Sequence, residues 1–259
     1  MSALNAFVVS ILIVVSAKTL AWLMQLRTRN AGLVDAIWGW TLGGLAVFYA
    51  AVGSAPIGTR VLLGLMGGLW GLRLGTHLWR RNYSKPEDFR YSEFRQKWGK
   101  RANFNMFWFF QFQNIFTLML SASAFIAVAY RPDAPNLLAM AAAIVLWLIS
   151  VIGEAVADNQ METFRGNPAN KGRVCRDGFW GYSRHPNYFF ECVHWLAYVP
   201  LALCAPWGWA SLIAPALMAW MLVKLSGMPM LEADMAKRKP GYADYMRSTS
   251  ALIPWPPKS

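Results

Sequence analysis

Five residues able to do polar chemistry stand within one short stretch of the chain: Arg184, His185, Asn187, Tyr188 and Glu191, inside the run GFWGYSRHPNYFFECVHW at 178–195. They open an apolar segment, where an ionised side chain is costly unless it is paired or put to use. A second group follows helical spacing in GEAVADNQMETFR, which puts Glu154, Asp158, Glu162 and Arg165 on one stripe. Asp35 sits just inside NAGLVDAIWGW. Arg73 and His77, with Trp70 three residues before Arg73, lie in GLMGGLWGLRLGTHLW, and Glu232 lies in MLEADMAKRK. Guanidinium forks bind oxyanions in pairs, so Arg81, Arg165, Arg173, Arg176 and Arg184 suit phosphates. Asp158, Asn187 and Glu191 suit ribose hydroxyls or a carboxamide. A dinucleotide needs both kinds of group.

Other chemistries lack their patterns. No GxGxxG follows a strand and no phosphate-binding P-loop occurs, so a nucleotide would have to sit between helices. His185 and His194 are nine apart, His77 is remote, and HExxH is absent, so no metal site is expected. No G-x-S-x-G supports a hydrolase. The three cysteines, Cys175, Cys192 and Cys204, have no CxxC spacing and form no zinc framework.

The elements that must position these residues are apolar. Of 259 residues, 56% are hydrophobic and 15% charged, against roughly 25% charged in a soluble domain. With 14 Trp and mean hydropathy +0.29, the composition is that of a membrane protein. The net charge of +12 does not imply a nucleic-acid partner, because the basic residues border apolar segments, as topology signals do. The N-terminus lacks a basic leader and cleavage site and reads as a first span.

Spans of about 20 apolar residues are predicted at Leu4–Met24, Leu33–Val52, Ile57–Trp79, Phe104–Tyr130 and Leu137–Ala157. The run Tyr188–Leu225 is too long for one crossing, and CAPWGWAS at 204–211 divides it into two, which makes seven. Lys and Arg number two in 25–31, eight in 80–103, five in 158–187 and six from Lys224 onward. Only Arg60 and Arg131 lie on the other side, so the N-terminus is expected outside and the polar pocket open to the cytosol. The whole chain, 1–259, is expected to form one domain. The face of Gly67, Gly71 and Gly75 at four-residue spacing predicts close helix packing. Taken singly, each charged residue also fits an interfacial, snorkelling role. Taken together, both signs from several cytosol-facing segments describe a site.

The run GFWGYSRHPNY followed by Glu191 resembles the signature of membrane sterol and steroid reductases, roughly G-W-W-G-x-x-R-H-x-N-Y. NQMETFRGNP at 159–168 resembles the N-Q/K-x-x-F-R-x-N-P element of that superfamily. GYADYMRSTSALIPW is similar to the C-terminus of steroid 5-alpha-reductases, and GLVDAIWG and EDFRYSEFRQKWG resemble bacterial members of that family. The resemblance covers 33–255. It implies a seven-helix reductase that uses NADPH to reduce the carbon–carbon double bond of a lipid-like enone, such as a 3-oxo-Δ4-steroid. In such an enzyme hydride goes to the beta carbon and a protein donor stabilises the ketone oxygen.

Carried over by position, the resemblance puts Asp158, Arg165, Arg173, Asn187 and Glu191 on the nucleotide, with Arg184 and His185 in the same motif. Arg73, His77, Arg81, Glu154 and Glu232 join them by weaker alignment. Asp35 is the candidate acid, and Trp70 stands where the family has its catalytic Tyr. The implied partners are the enone and the bilayer, with no obligate protein partner; the short loops suit a bacterial inner membrane, or the ER membrane in a eukaryote. R-H-P-x-Y with a later E…GYADY also resembles isoprenylcysteine-type carboxyl methyltransferases, which bind S-adenosylmethionine. Arginine number favours the phosphorylated cofactor. A non-catalytic lipid binder is the third reading.

Overall fold

A bilayer core offers no water to backbone N–H and C=O groups, so runs of this length must satisfy their hydrogen bonds internally, as helices do. The computed structural model describes residues 1–203, 205–225 and 227–258, and Cys204 lies outside the described residues. Among the described residues every regular element is helical. In chain order these are α1 (Ala3–Thr28), α2 (Leu33–Val52), α3 (Ile57–Asn82), α4 (Phe89–Trp98) and α5 (Ala102–Ser121), then a π-helical stretch and the single turn α6 (Ala127–Ala129). They continue as α7 (Leu137–Gly166), α8 (Pro186–Leu196), α9 (Val199–Ala202), α10 (Ile213–Trp220), α11 (Met228–Arg238) and α12 (Tyr242–Ser248).

Five stretches are long and apolar enough to cross a membrane: Ala3–Thr28, Leu33–Val52, Phe89–Ala129, Leu137–Gly166 and Gly208–Arg238. Two of the seven expected spans fall short of that measure. α3 has the length, but its glycines and Arg60, Arg73, Arg80 and Arg81 dilute its apolar character. α8 has 11 residues, about 16 Å of a core of roughly 30 Å. The predicted break in the long run is present: the backbone turns through Trp207 at φ 61°, and a side chain on Gly208 would meet the Ala202 carbonyl at 1.9 Å.

The chain groups into two compact units, Met1–Ala139 with Tyr198–Ala214, and Met140–Ala197 with Pro215–Ser259. In the first, α1 turns its leucines outward and buries Ala6, Ser10, Val14, Lys18, Ala21 and Gln25, one residue per turn. Small residues on that stripe let α1 lie close to α5, and fully buried Lys18 donates to Gln113 Oε1 at 2.8 Å. The glycine face of α3 does what its spacing predicts. A side chain on Gly71 would stand 2.5 Å from Gly43 Cα and 2.7 Å from Gly39 O, and one on Gly67 would stand 2.2 Å from Ala46 Cβ. The two backbones touch, and no flexible group is there to give way. Two further arginines are anchored to carbonyls: Arg60 donates to Ala50 and Ala55, and Arg131 to Asp133 and Leu201.

In the second unit, α7 receives the polar motif through another close approach. Gly153 leaves room for the Phe190 ring, which would lie 2.3 Å from an added Cβ. Trp180 Nε1 donates to the Ala157 carbonyl at 2.9 Å, and Phe179 N donates to Gln160 Oε1 at 3.0 Å. Gly178 just before them sits at φ 55°, where a side chain is strained and would also strike Gln160.

Replacing Gly71 by Val forces a branched side chain into a backbone contact, and the expected loss is about 2 kcal/mol or more. Gly44 on α2 has nothing within 4 Å of an added Cβ, so Gly44→Val should move stability by less than about 0.5 kcal/mol. Unfolding midpoints of the two variants in one detergent check this, and equal effects would contradict the seam.

Candidate functional site

In the first unit, NAGLVD at 30–35 and EDFRYSEFR at 87–95 clasp one another. Asn30 Nδ2 donates to the carbonyls of Asn82 and Lys85, and Asn82 Nδ2 donates to that of Gly32 at 2.9 Å. Glu87 accepts from Ala31 N and takes both forks of Arg95, which also reaches Gln25. Asp88 caps α4 by accepting from Arg90 N and binds the Arg90 guanidinium. Arg90 Nη2 then donates to Asp35 Oδ2 at 2.9 Å, while the buried Tyr91 hydroxyl donates to Asp35 Oδ1 at 2.7 Å. A hydroxyl that stabilised a ketone from Asp35 would need a proton on one of these oxygens, and here both accept. Tyr91 and Arg90 are the residues that reading Asp35 alone missed. The signal was the Arg-Tyr pair inside EDFRYSEFR.

Trp70 is fully buried and meets Trp38 edge-on, with ring centroids 6.3 Å apart. Arg73, His77 and Arg81 lie half-buried on α3. These residues belong to the first unit.

The second unit holds the motif that opened the sequence. Pro186 starts α8 at a position where its missing N–H costs nothing. Arg184 Nε and Nη2 grip Glu232 of α11 at 2.8 and 3.3 Å, and Nη1 donates to the carbonyls of Met246 and Thr249. His185 Nε2 bonds the same Glu232 oxygen at 3.0 Å, and its ring stacks on Tyr188 at 5.2 Å. The segment after α12 runs back along the motif as a strap. Arg184 N donates to Ser250 O, Ser183 Oγ to Leu252 O and Trp255 N to Tyr182 O. Tyr245 OH closes the arrangement by donating to Trp180 O at 2.6 Å. The structure thus brings together Arg184, His185 and Glu232, and binds them into a knot with the main chain.

Burial pushes the Tyr242 hydroxyl up to about 12, helped by the charge of Glu232, and burial raises that of Tyr245 as well. Both remain proton donors throughout the physiological range. Burial also raises the Cys175 thiol, which keeps it protonated and inert.

Around the knot lie the other expected residues of this unit. Asn187 and Glu191 stand one turn apart on α8, and buried Glu191 accepts from Trp195 Nε1 at 3.0 Å. On α7, Glu154 is buried, Asp158 half-buried, and Glu162 and Arg165 are exposed, so the stripe runs from the interior outward. Arg173 and Arg176 are exposed in the loop that follows. The Arg173 carbonyl accepts from Lys239, and Arg176 lies over the Tyr245 ring at 5.3 Å.

A helical chain whose long apolar segments end in knotted charge is a multi-pass integral membrane protein. Residues 21–249 match the model for the family described as Protein of unknown function (DUF1295), and the chain belongs to that family. No curated protein and no solved structure matches it.

Arg184 and Glu232 are nearly buried, with side chains 10% and 13% exposed. Removing one partner leaves the other's charge stranded, so Glu232→Ala should cost about 3 kcal/mol, and Tyr245→Phe about 1–2 kcal/mol. Unfolding in detergent measures both, and a neutral Glu232→Ala would show that the knot carries no stability.

The first unit makes a prediction about pH. Burial acts to raise the Asp88 carboxyl, but the Arg90 hydrogen bonds and charge outweigh it and hold it below its ordinary 3.8. A lowered carboxyl contributes stability that is fully present above its unfolded value and lost as pH falls through the folded one. Asp88→Ala should therefore lose about 1–2 kcal/mol near neutral pH through the cap and the ion pair. On acidification below pH 3.8 the gap between variant and parent should narrow. A gap that held constant into acid would contradict the assignment.

Proposed function

We propose that this protein is an NADPH-dependent membrane reductase of a lipid-like enone, of the 3-oxo-Δ4-steroid type. The observation that carries the reading is the second unit's division of labour. The knot fixes the Arg184–His185 motif from within, while Arg165, Arg173 and Arg176 remain exposed around it. The family includes steroid 5-alpha-reductase-like proteins.

The donor set fits a dinucleotide in chemical kind. Arg165 and Arg173 would bind phosphate oxygens, which planar guanidinium forks suit. Asp158, Asn187 and Glu191 supply acceptors and an amide for ribose hydroxyls and a carboxamide. Glu154, at the buried end of the same stripe, extends that set. Arg184, His185 and Glu232 position the motif rather than grip the nucleotide, because their polar atoms serve one another and the strap. Bound NADPH supplies a hydride to the beta carbon of the enone. The protein's part is to hold the cofactor, exclude water and stabilise charge on the ketone oxygen.

In the same proposal Arg73, His77 and Arg81 on α3 keep the nucleotide role that the family resemblance gives them, and Asp35 with Trp70 keeps the reactive end. Asp35 would take part through Tyr91, the hydroxyl it holds. The reading also carries the seven-span topology, with α3 and the α8–α9 segment as the additional crossings. It places the N-terminus outside, the cofactor side in the cytosol and the single domain 1–259 in a bacterial inner membrane.

The rival is an S-adenosylmethionine-dependent carboxyl methyltransferase, and one observation favours it. The residues drawn into the knot, Arg184, His185, Glu232, Tyr242 and Tyr245, are the ones its motif shares. The residues that separate the two readings lie outside the knot, and they are the exposed arginines.

Melting of the purified protein with NADPH, NADH or S-adenosylmethionine decides between them. A ligand at 100 times its dissociation constant stabilises by about 2.7 kcal/mol. The reductase reading expects a shift with NADPH that Arg165→Ala and Arg173→Ala diminish, followed by NADPH consumption on adding a 3-oxo-Δ4-steroid. A shift with S-adenosylmethionine alone would replace it with the methyltransferase.

A further inference from the structure

Where the strap leaves α12 it encloses a cup of about 300 Å³, at the small end of ligand-sized cavities. Its wall includes Arg184, Arg247, Lys258, Thr249, Ser250 and Trp255. We infer that this cup binds the phosphate-bearing headgroup of an anionic lipid. The inference is independent of the reductase reading and rests on the strap alone.

Three features point to that ligand. The first is charge. Arg184 is neutralised by Glu232 and fixed by two carbonyls, so it forms a rigid floor. The cations able to turn toward a ligand are Arg247 and Lys258. Among the described residues Arg247 is held by Asp244 one helical turn away, and both side chains are largely exposed, at 75% and 63%. An exposed pair of that kind is worth little and exchanges readily for a phosphate. Lys258 is exposed on the strap itself, its backbone N–H tied to Ser248 O at 2.8 Å.

The second feature is the neutral part of the lining. The hydroxyls of Thr249 and Ser250 supply short donors beside the two cations, as oxyanion sites commonly use, while that of Ser248 donates to the Asp244 carbonyl. The third is the rim. Trp255 is 67% exposed and Ile253 64%, which is wasteful beside a site for a water-soluble ion. At a membrane surface the same residues have a place, since Trp favours the headgroup level and apolar neighbours reach the acyl chains. Pro254, Pro256 and Pro257 stiffen this part of the strap, so little ordering is required on binding.

A basic residue near an anionic surface contributes about fivefold in affinity, so two contribute about 25-fold. Delipidated protein in detergent would be titrated with phosphatidylglycerol, phosphatidylcholine and soluble glycerol phosphate, with binding followed by native mass spectrometry. Phosphatidylglycerol should bind at least about tenfold more tightly than the other two. Arg247→Gln with Lys258→Gln should erase that preference, and Arg247→Lys with Lys258→Arg should keep it. Trp255→Ala should weaken the lipid and leave glycerol phosphate unchanged. Should the double variant fail to fold, Arg247→Gln and Lys258→Gln singly should each lose part of the preference. Glycerol phosphate binding as tightly as the lipid would overturn the lipid assignment in favour of a soluble phosphate ester. Phosphatidylglycerol binding that is indifferent to Arg247 and Lys258 would overturn the cup itself.

Discussion

The pairing of Arg184 with Glu232 is the interaction on which the second unit depends. An arginine at the mouth of an apolar helix cannot lose its proton, so its charge must be met by another charge or by carbonyls. Here it is met by both. Glu232 takes two of its nitrogens, and the carbonyls of Met246 and Thr249 take the third. From that requirement the rest follows: α11 must present Glu232 to α8, α12 must end beside Arg184, and the strap must return along Ser183. His185 then shares the carboxylate, and its stacking on Tyr188 fixes the first turn of α8.

The first unit solves a similar problem by different means. Its clasp spreads charge: Arg90 bridges Asp35 and Asp88, Asp35 also accepts from Tyr91, and Arg95 divides between Glu87 and the amide of Gln25. Below the clasp the helices carry little charge and pack by closeness instead. Without a hydrophobic drive between helices in lipid, backbone approach is what van der Waals attraction can use, and the α2–α3 seam uses it fully. Buried Lys18 is met within that packing by the amide oxygen of Gln113.

How much of this was legible in the sequence depended on range. The apolar runs, the break at 204–211 and the glycine face are local patterns, and each could be read from a window of about 20 residues. The importance of the RHP motif could also be read. What it bonds could not, because Glu232 lies 48 residues from Arg184 and the strap carbonyls lie more than 60 away. The sequence suggested a wall of groups facing a ligand, and Arg184, His185 and Glu232 face one another. Asp35 shows the same limit, since its partners are 55 and 56 residues downstream. Among the described residues five of the seven expected spans are both long and apolar, and in the other two composition and length pull apart. α3 is long but glycine-rich and charged, and α8 is apolar but short.

The strap also sets an order of events at the ribosome. Ser183 must wait for Leu252, 69 residues later in the chain, before its hydroxyl finds the carbonyl it bonds. At 5–20 residues per second that wait lasts roughly 3 to 14 s. During it α7 and the start of α8 have been made, and the loop between them is fastened to α7 through Phe179 and Trp180 but not yet to the strap. Arg184 is without Glu232 for the first 48 residues that follow it. The second unit is therefore assembled from its late-made end, and mutations in the strap should act on the yield of inserted protein as well as on the finished fold.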